Sequence, residues 1–247
     1  MATRTIDRAK RQRNPVKTSR AERQYASKLR RIAESVGAII DGFPAGDPAS
    51  VPPIEAMLRR YADALTDWAT ATASQMIAEV NASDRRAWMQ MSQDMSVDLR
   101  REIQAAPTGE AMRTLLAEQV TLIKSIPLDA AQRVHDLTLK GIDDATRASE
   151  IAAEIQRSGE VAESRAMLIA RTEVSRTAST LTQARAQYIG STGYIWRTAG
   201  DSDVRKSHKD MRGKFVPWST PPTLDGLTGH AGCLPNCRCY PEPVIPE

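Results

Sequence analysis

The 247-residue sequence is poor in the residues that hold small secreted domains together, since it contains three cysteines and only 4% aromatic residues. The cysteines are odd in number and lie within one short segment, which disfavours a secreted disulfide framework and favours a reducing compartment. No apolar run approaches the roughly 20 residues that cross a bilayer. The N-terminal segment also lacks the apolar core of a secretory signal. We therefore expect no membrane association.

The sequence also lacks the common catalytic motifs. It has neither a glycine-rich phosphate loop nor the His-Glu-x-x-His helix of a metalloprotease. We therefore predict that the protein is not an enzyme. The competing interpretation is a cysteine nucleophile that is activated by His208 or His230 and oriented by Asp201 or Asp203.

The charge is distributed unevenly along the chain. Residues 1–31 carry eleven lysines and arginines against two acidic residues, whereas the remaining residues carry 23 basic and 28 acidic ones. Residues 1–17 show no apolar periodicity, so we predict a flexible basic arm there. Such a segment suits a nucleic acid or an acidic protein surface, although a solvated tail explains it equally well. The candidate binding residues are Arg4, Arg8, Lys10, Arg11, Arg13, Lys17 and Arg20.

Residues 18–190 show apolar side chains at helical spacing and predict a long α-helical body. Ser19 and Glu22 have the spacing of a capping box at its start. Methionines recur along the predicted helices, and we interpret them as core filling rather than as a partner groove. The predicted interruptions fall at 41–53, 81–83, 107–109, 126–127, 141, 159 and 190.

The pattern changes after Gly190. Short strands are predicted at 194–198, 214–218 and 237–240, with a short helix at 204–211 and a loop at 219–232. The predicted fold class is therefore α+β: a long N-terminal α-helical region is followed by a small C-terminal α+β module with short strands. The predicted module covers residues 191–247.

This module contains every cysteine and two of the three histidines. Zinc prefers four thiolate and imidazole ligands, and a small module gains stability from such a cross-link. We predict a Zn²⁺ site formed by His208, Cys233, Cys237 and Cys239, with His230 as the alternative histidine. The Cys-x3-Cys-x-Cys spacing differs from the familiar Cys-x2-Cys knuckle. Reduced, partly buried thiols and a disulfide therefore remain open alternatives.

The order of short motifs in the C-terminal half resembles the phage Mu F-like head morphogenesis (minor capsid) family. The resemblance covers roughly residues 130–244, so residues 127–190 correspond to the family helices and residues 18–126 to a variable part. Relatives often look like His-Pro-x-Cys-Arg-Cys, whereas Leu234 precedes the proline here. The motifs are Ala-Arg-Thr-Glu at 170–173, Gly-Tyr-Ile-Trp-Arg-Thr-Ala-Gly-Asp at 193–201, Asp-Val-Arg-x-x-His at 203–208, Gly-Lys at 213–214 and Pro-Asn-Cys-Arg-Cys at 235–239.

The resemblance implies a minor capsid protein of a tailed phage or prophage that assists procapsid assembly. The implied partner is the portal protein, with major capsid or scaffold protein and double-stranded DNA as further candidates. The implied location is the capsid interior near the portal, after assembly in the host cytoplasm. The helical body would then dock on the portal, while the segment from Arg4 to Arg31 would contact DNA or an acidic partner. The alternatives are a zinc-stabilised nucleic-acid-binding module and a cysteine-dependent enzyme.

Overall fold

A computed structural model describes residues 3–4, 14–44, 47–95, 99–143 and 148–246 of the chain. The helices are α1 (Ser19–Asp41), α2 (Val51–Ala64), α3 (Thr66–Asp94), α4 (Arg100–Ala105), α5 (Thr108–Asp143), α6 (Ala148–Gln156), α7 (Ser158–Tyr188) and α8 (Lys206–Asp210), with a 3₁₀ turn at Pro48–Ser50. The strands are β1 (Thr3–Arg4), β2 (Gly193–Arg197), β3 (Phe215–Pro217), β4 (Thr223–Leu224), β5 (Leu227–Thr228), β6 (Tyr240–Pro243) and β7 (Ile245–Pro246). The predicted α+β class is confirmed. None of the helices within these ranges has both the length and the apolar character to span a bilayer.

The module is built on a three-stranded antiparallel sheet in the order β3-β2-β6. Tyr194 in the central strand pairs with Val216 of β3 and with Pro243 of β6. Tyr194 and Trp196 are two residues apart, so their side chains point to the same face of the sheet. Both are fully buried. The third strand begins at Tyr240, so the predicted strand at 237–240 is mostly a loop, and the predicted loop at 219–232 contains the β4–β5 hairpin.

A separate two-stranded sheet joins distant parts of the chain. Thr3 pairs with Pro246 and Arg4 pairs with Ile245. The prediction of a flexible arm is therefore wrong at Thr3–Arg4. These two residues form a strand because a segment more than 200 residues away supplies the backbone hydrogen bonds. Residues 5–13 lie outside the described residues.

The chain forms two compact units. The first comprises residues 1–22, 75–115 and 171–247, and the second comprises residues 23–74 and 116–170. The core of the first unit includes module residues together with Trp88 of α3 and Ile103 of α4. Partly buried methionines of α3, among them Met89 and Met91, pack against this core. These methionines therefore fill the core of the first unit, as expected.

The second unit is held by helices whose apolar faces are buried. Inside it, the Tyr25 hydroxyl donates to the Gln119 side chain at 2.8 Å. Gly37 of α1 meets Gly159 of α7, where an added Cβ on Gly159 would lie 3.1 Å from the Gly37 Cα. Glycine at these positions therefore allows close backbone contact. The sequence predicts a helix boundary at Gly159, but this residue lies inside α7. The boundary between α6 and α7 falls at Arg157.

The predicted interruption at residues 126–127 is wrong, because α5 continues through Pro127. A proline inside a helix removes one hydrogen bond and costs about 3 kcal/mol. Ile123, Ile126 and Val134 are each fully buried at helical spacing on both sides of the proline. Each such side chain contributes roughly 1.5–3 kcal/mol on burial. Burial of the continuous apolar face therefore outweighs the proline.

The predicted interruption at residues 81–83 is also wrong, because α3 runs from Thr66 to Asp94. Its polar residues bind other parts of the first unit instead of ending the helix. Asp84 is fully buried, accepts a hydrogen bond from Thr182 at 2.6 Å and forms an ion pair with Arg185. Arg185 also donates to the Asn81 side chain at 2.7 Å.

The Asp84–Arg185 pair depends on both partners. Burial raises the pKa of Asp84 to about 6, although Arg185 and Thr182 act in the opposite direction. Burial likewise lowers the pKa of Arg185, and Asp84 opposes that change. Because desolvation dominates at both groups, a single charge left without its partner would be strongly destabilising.

We therefore predict that Asp84→Asn and Arg185→Met each lower the free energy of unfolding by about 3–5 kcal/mol. The double variant should lose several kcal/mol less than the sum, because it leaves no unpaired charge. Denaturant unfolding followed by tryptophan fluorescence measures both effects. The exposed Arg30–Glu163 pair is the control, and Glu163→Gln should change stability by no more than about 1 kcal/mol. Additive losses in the double variant would contradict the predicted coupling.

Candidate metal centre

Three of the predicted metal ligands meet inside the module. His208 lies on α8, whereas Cys237 and Cys239 lie in the loop that leads into β6. The His208 Nδ1 atom is 3.4 Å from the Cys237 Sγ and 3.5 Å from the Cys239 Sγ. All three residues are buried, and their ligand atoms lie within 4.8 Å of one another.

Residues 231–239, which we call the cysteine knuckle, are fixed on α7. The Ser179 hydroxyl donates to the Ala231 carbonyl at 2.7 Å, and the Asn236 amide donates to the Thr172 hydroxyl at 3.0 Å. Gly232 has a φ of +86°, and an added Cβ there would lie 2.3 Å from the Ser179 Oγ. Glycine is therefore required both for this backbone conformation and for the close approach to α7.

The segment around α8 is also tied to the knuckle from its exposed side. Arg205 donates to the Pro235 carbonyl at 2.7 Å. Arg238 of the knuckle pairs with Asp201 at 2.8 Å and with Asp203 at 3.1 Å. These contacts bring the two segments together around the buried histidine and cysteines.

The two cysteines of the cluster differ in acidity. A hydrogen bond from the Cys239 thiol is the main cause that lowers the pKa of Cys237, to about 6. The same hydrogen bond, followed by burial, raises the pKa of Cys239. The Cys237 sulfur is therefore the thiolate of the pair. The thiolate is the form of cysteine that binds metals, and this one lies beside His208.

The geometry of the cluster fits a tetrahedral metal. With Zn–S near 2.3 Å and Zn–N near 2.05 Å, tetrahedral coordination places sulfur and nitrogen about 3.6 Å apart. The observed distances of 3.4 and 3.5 Å are close to this value. His208 Nδ1 faces the sulfurs, while its buried Nε2 has no hydrogen-bond partner among the described residues. The cluster can therefore hold a metal through Nδ1 and two sulfurs.

Cys233 does not join this cluster. Part of the residue is exposed, but desolvation of its sulfur raises the pKa of the thiol to about 12. The thiol therefore stays protonated, unlike that of Cys237. The structure brings together three of the four primary ligand candidates and leaves Cys233 next to them in the knuckle.

His230 has a different environment from His208. Its Nδ1 lies 3.2 Å from the Tyr194 hydroxyl, which also accepts the Ala231 amide at 3.1 Å. The ring packs edge-on against Trp218 at a centroid distance of 5.6 Å. Burial lowers the pKa of His230. His230 therefore braces the aromatic core of the module, and it is not part of the cluster.

The cysteine-nucleophile interpretation does not agree with the arrangement. Asp201 and Asp203, which it assigned to orient a histidine, bind Arg238 instead. The Cys237 and Cys239 side chains are almost fully buried, so a substrate has no direct access to either sulfur. The low pKa of Cys237 thus belongs to an enclosed cluster.

Several supporting residues were not assigned a role from the sequence. Thr172 and Ser179 of α7 hold the knuckle, and the Trp196 ring meets the His208 ring edge-on at 5.6 Å. The ordered family motifs could have pointed to three supporting residues, because they contain Thr172, Trp196 and Arg205. Those three residues surround the same buried cluster.

The predicted basic binding residues are only partly described. Arg4 lies in β1, Lys17 is exposed, and Arg20 is exposed and pairs with Glu79 at 3.4 Å. The other candidates lie outside the described residues, namely Arg8, Lys10, Arg11 and Arg13.

Known proteins are similar to part of this chain. Residues 132–241 match the family model described as phage Mu protein F like protein. An uncharacterized protein of Haemophilus influenzae is 33% identical over 150 residues, which are 60% of this chain and 33% of that protein. The Enterococcus faecalis protein named NAD(+)--arginine ADP-ribosyltransferase EFV is 30% identical over 128 residues, which are 47% of this chain and 26% of that protein. The chain thus spans about a third or less of the length of these relatives, and no solved structure matches it significantly.

The matched range begins in α5 and ends in β6, so it includes α7, α8, the cysteine knuckle and all three clustered ligand residues. Residues 132–241 are therefore a phage Mu protein F-like region of the chain.

Proposed function

We propose that this protein is a minor capsid, or head morphogenesis, protein of a tailed phage or prophage and assists procapsid assembly. The family membership of residues 132–241 carries this proposal. At the family level it supports a phage head role and a place in the virion. The named ADP-ribosyltransferase activity belongs to the E. faecalis relative, of which only 26% is covered. It adds no argument for catalysis here.

The portal protein is the proposed partner, and the second unit supplies the docking surface. Its helices α5 and α7 form a groove of about 660 Å³. Val161 and Leu168 line this groove and are both exposed although they are large and apolar. They lie seven residues apart on α7 and hence on one face of the helix. An apolar segment of a partner would bury both side chains at once.

We expect the double variant Val161→Asp and Leu168→Asp to bind the portal protein of the same phage or prophage genome at least about tenfold more weakly. The reason is that burying the new carboxylates under an apolar partner segment would cost free energy. Co-purification and titration of the purified pair measure this effect. Leu139 is also exposed on α5 but does not line the groove, so Leu139→Asp is the matched control. Equal binding by all variants would show that the groove is not the surface that binds the portal protein.

The proposed ligands of Zn²⁺ are His208, Cys237 and Cys239, with Cys233 as the nearest further thiol of the knuckle. When bound, the ion would supply a cross-link between α8 and the knuckle. The module has few aliphatic core residues, so this cross-link would contribute much of its stability.

Protein purified without added zinc should contain about one zinc ion per chain by elemental mass spectrometry. His208→Ala and Cys237→Ser should lose it, whereas His230→Ala should retain it. If removing the ion costs about 2 kcal/mol, chelation should lower the unfolding midpoint by roughly 4–8 °C. Cys233→Ser separates a four-ligand from a three-ligand site, since only the former would lose zinc. If the parent protein contains no stoichiometric metal, the zinc proposal is wrong and the cysteines are reduced thiols that pack in the core.

The basic arm is the proposed contact for packaged DNA. Deleting residues 1–31 would also remove the first half of α1, including the buried Tyr25 and Leu29. Substitution of arm residues is therefore the cleaner test.

Replacing Arg8, Arg11 and Arg13 by alanine should make the slope of log affinity against log salt shallower by about 2.7, since each lost phosphate contact contributes about 0.9. Fluorescence anisotropy with a short DNA duplex measures this slope. The control replaces Arg59, Arg60 and Arg113, which are exposed cations of α2 and α5. A slope that does not change in the arm variant would exclude these three residues from DNA binding.

A further inference from the structure

Three exposed cations of the module recur at every third position. Lys206 and Lys209 lie on α8, and Arg212 lies in the turn that follows. In this turn the Met211 amide donates to the His208 carbonyl at 3.3 Å, and the Arg212 amide donates to the Lys209 carbonyl at 3.0 Å. Such i to i+3 bonds align side chains three residues apart. We call Lys206, Lys209 and Arg212 the α8 cation stripe.

The opposite side of the same segment is anchored in the core. His208 is buried against the two cysteines, Val204 is buried, and Met211 packs against the core of the first unit. The segment therefore has an inner face that fixes it and an outer face that presents cations. A fixed backbone lowers the entropy lost when the outer face binds a partner.

The charge of the stripe is not neutralised by the described residues. No described carboxylate forms an ion pair with its three side chains, and Lys209 contacts only the Ser202 carbonyl, at 3.2 Å. The nearby acidic residues Asp201 and Asp203 are already paired with Arg238.

Three further charges flank the stripe. Exposed Lys214 adds a fourth cation, whereas exposed Asp210 and Asp225 add two negative charges, and the Asp225 carboxylate accepts a hydrogen bond from Ser207 of α8 at 2.7 Å. The outer face of residues 206–214 therefore keeps a clear excess of positive charge.

We propose that the α8 cation stripe binds the phosphate backbone of double-stranded DNA, as a second surface beyond the basic arm. The stripe extends over seven residues, and the six steps between its ends measure roughly 9–12 Å. That length matches about three phosphate-to-phosphate spacings of one strand, each about 3.4 Å along the duplex axis. Contacts of this kind position a protein on DNA without reading its sequence.

The composition of the segment favours a duplex over a single strand. Residues 206–212, which carry the stripe, contain no Phe, Tyr or Trp, whereas proteins that bind single strands stack bases on aromatic rings along the binding surface. One exposed aromatic ring, Phe215 of β3, follows the stripe in sequence. Regular cation spacing on a fixed segment also suits a regular array of phosphates better than the irregular carboxylates of an acidic protein.

The test uses the full chain with Lys206→Gln, Lys209→Gln and Arg212→Gln. Its affinity for a 30-base-pair duplex is measured by anisotropy over a range of salt concentrations. We expect the salt slope to become shallower by about 2.7 and the affinity at 0.1 M salt to fall by at least about tenfold. Lys206→Gln alone should change the slope by about 0.9, which guards against a folding defect in the triple variant. The matched control is the Arg59, Arg60 and Arg113 triple substitution to glutamine, which should leave the slope unchanged.

The same substitutions are then made in the background of the arm variant, so that the two surfaces are separated. A further loss in that background supports the stripe even if the arm variant by itself has no effect. An unchanged slope in both backgrounds overturns the proposal, whatever the arm does. Tighter binding of a 30-nucleotide single strand, or of polyglutamate of equal charge, would overturn it in favour of a different partner.

Discussion

The contact of His208 with Cys237 and Cys239 joins segments that are 29 and 31 residues apart in the chain. Much of the module depends on this contact, because α8 has only five residues and the knuckle has no regular secondary structure. An isolated helix of that length is unstable in water. Its position is therefore determined by the buried histidine, by the Arg205 and Arg238 contacts and by the anchoring of the knuckle on α7.

The core of the module also extends beyond the family region. Trp88 and Ile103 belong to the buried cluster around Trp196, but both precede residue 132, where the match begins. The two-stranded sheet likewise uses Thr3–Arg4. The N-terminal part thus completes the hydrophobic core of the module, most of which lies in the matched range. We infer that a fragment limited to residues 132–247 would expose a large part of this core.

Together, the proposals divide binding between different parts of the chain. An apolar groove of the second unit suits a protein partner, whereas the cations of the arm and the exposed cations of α8 suit a polyanion. The buried cluster belongs to neither surface. In these proposals it contributes to binding by holding α8 in place.

Local sequence patterns determined the helical body, the central strand of the module and the α+β class, because helical spacing and glycine terminators act over a few residues. They also identified His208 and the three cysteines as a set. Only the tertiary structure decided that α3 continues through residues 81–83 and α5 through Pro127, because distant partners and buried faces outweigh local breakers. The choice of His208 over His230 likewise rests on tertiary contacts. His230 lies closer to the cysteines in sequence, but only long-range packing brings the imidazole nitrogen of His208 within 3.5 Å of two sulfurs.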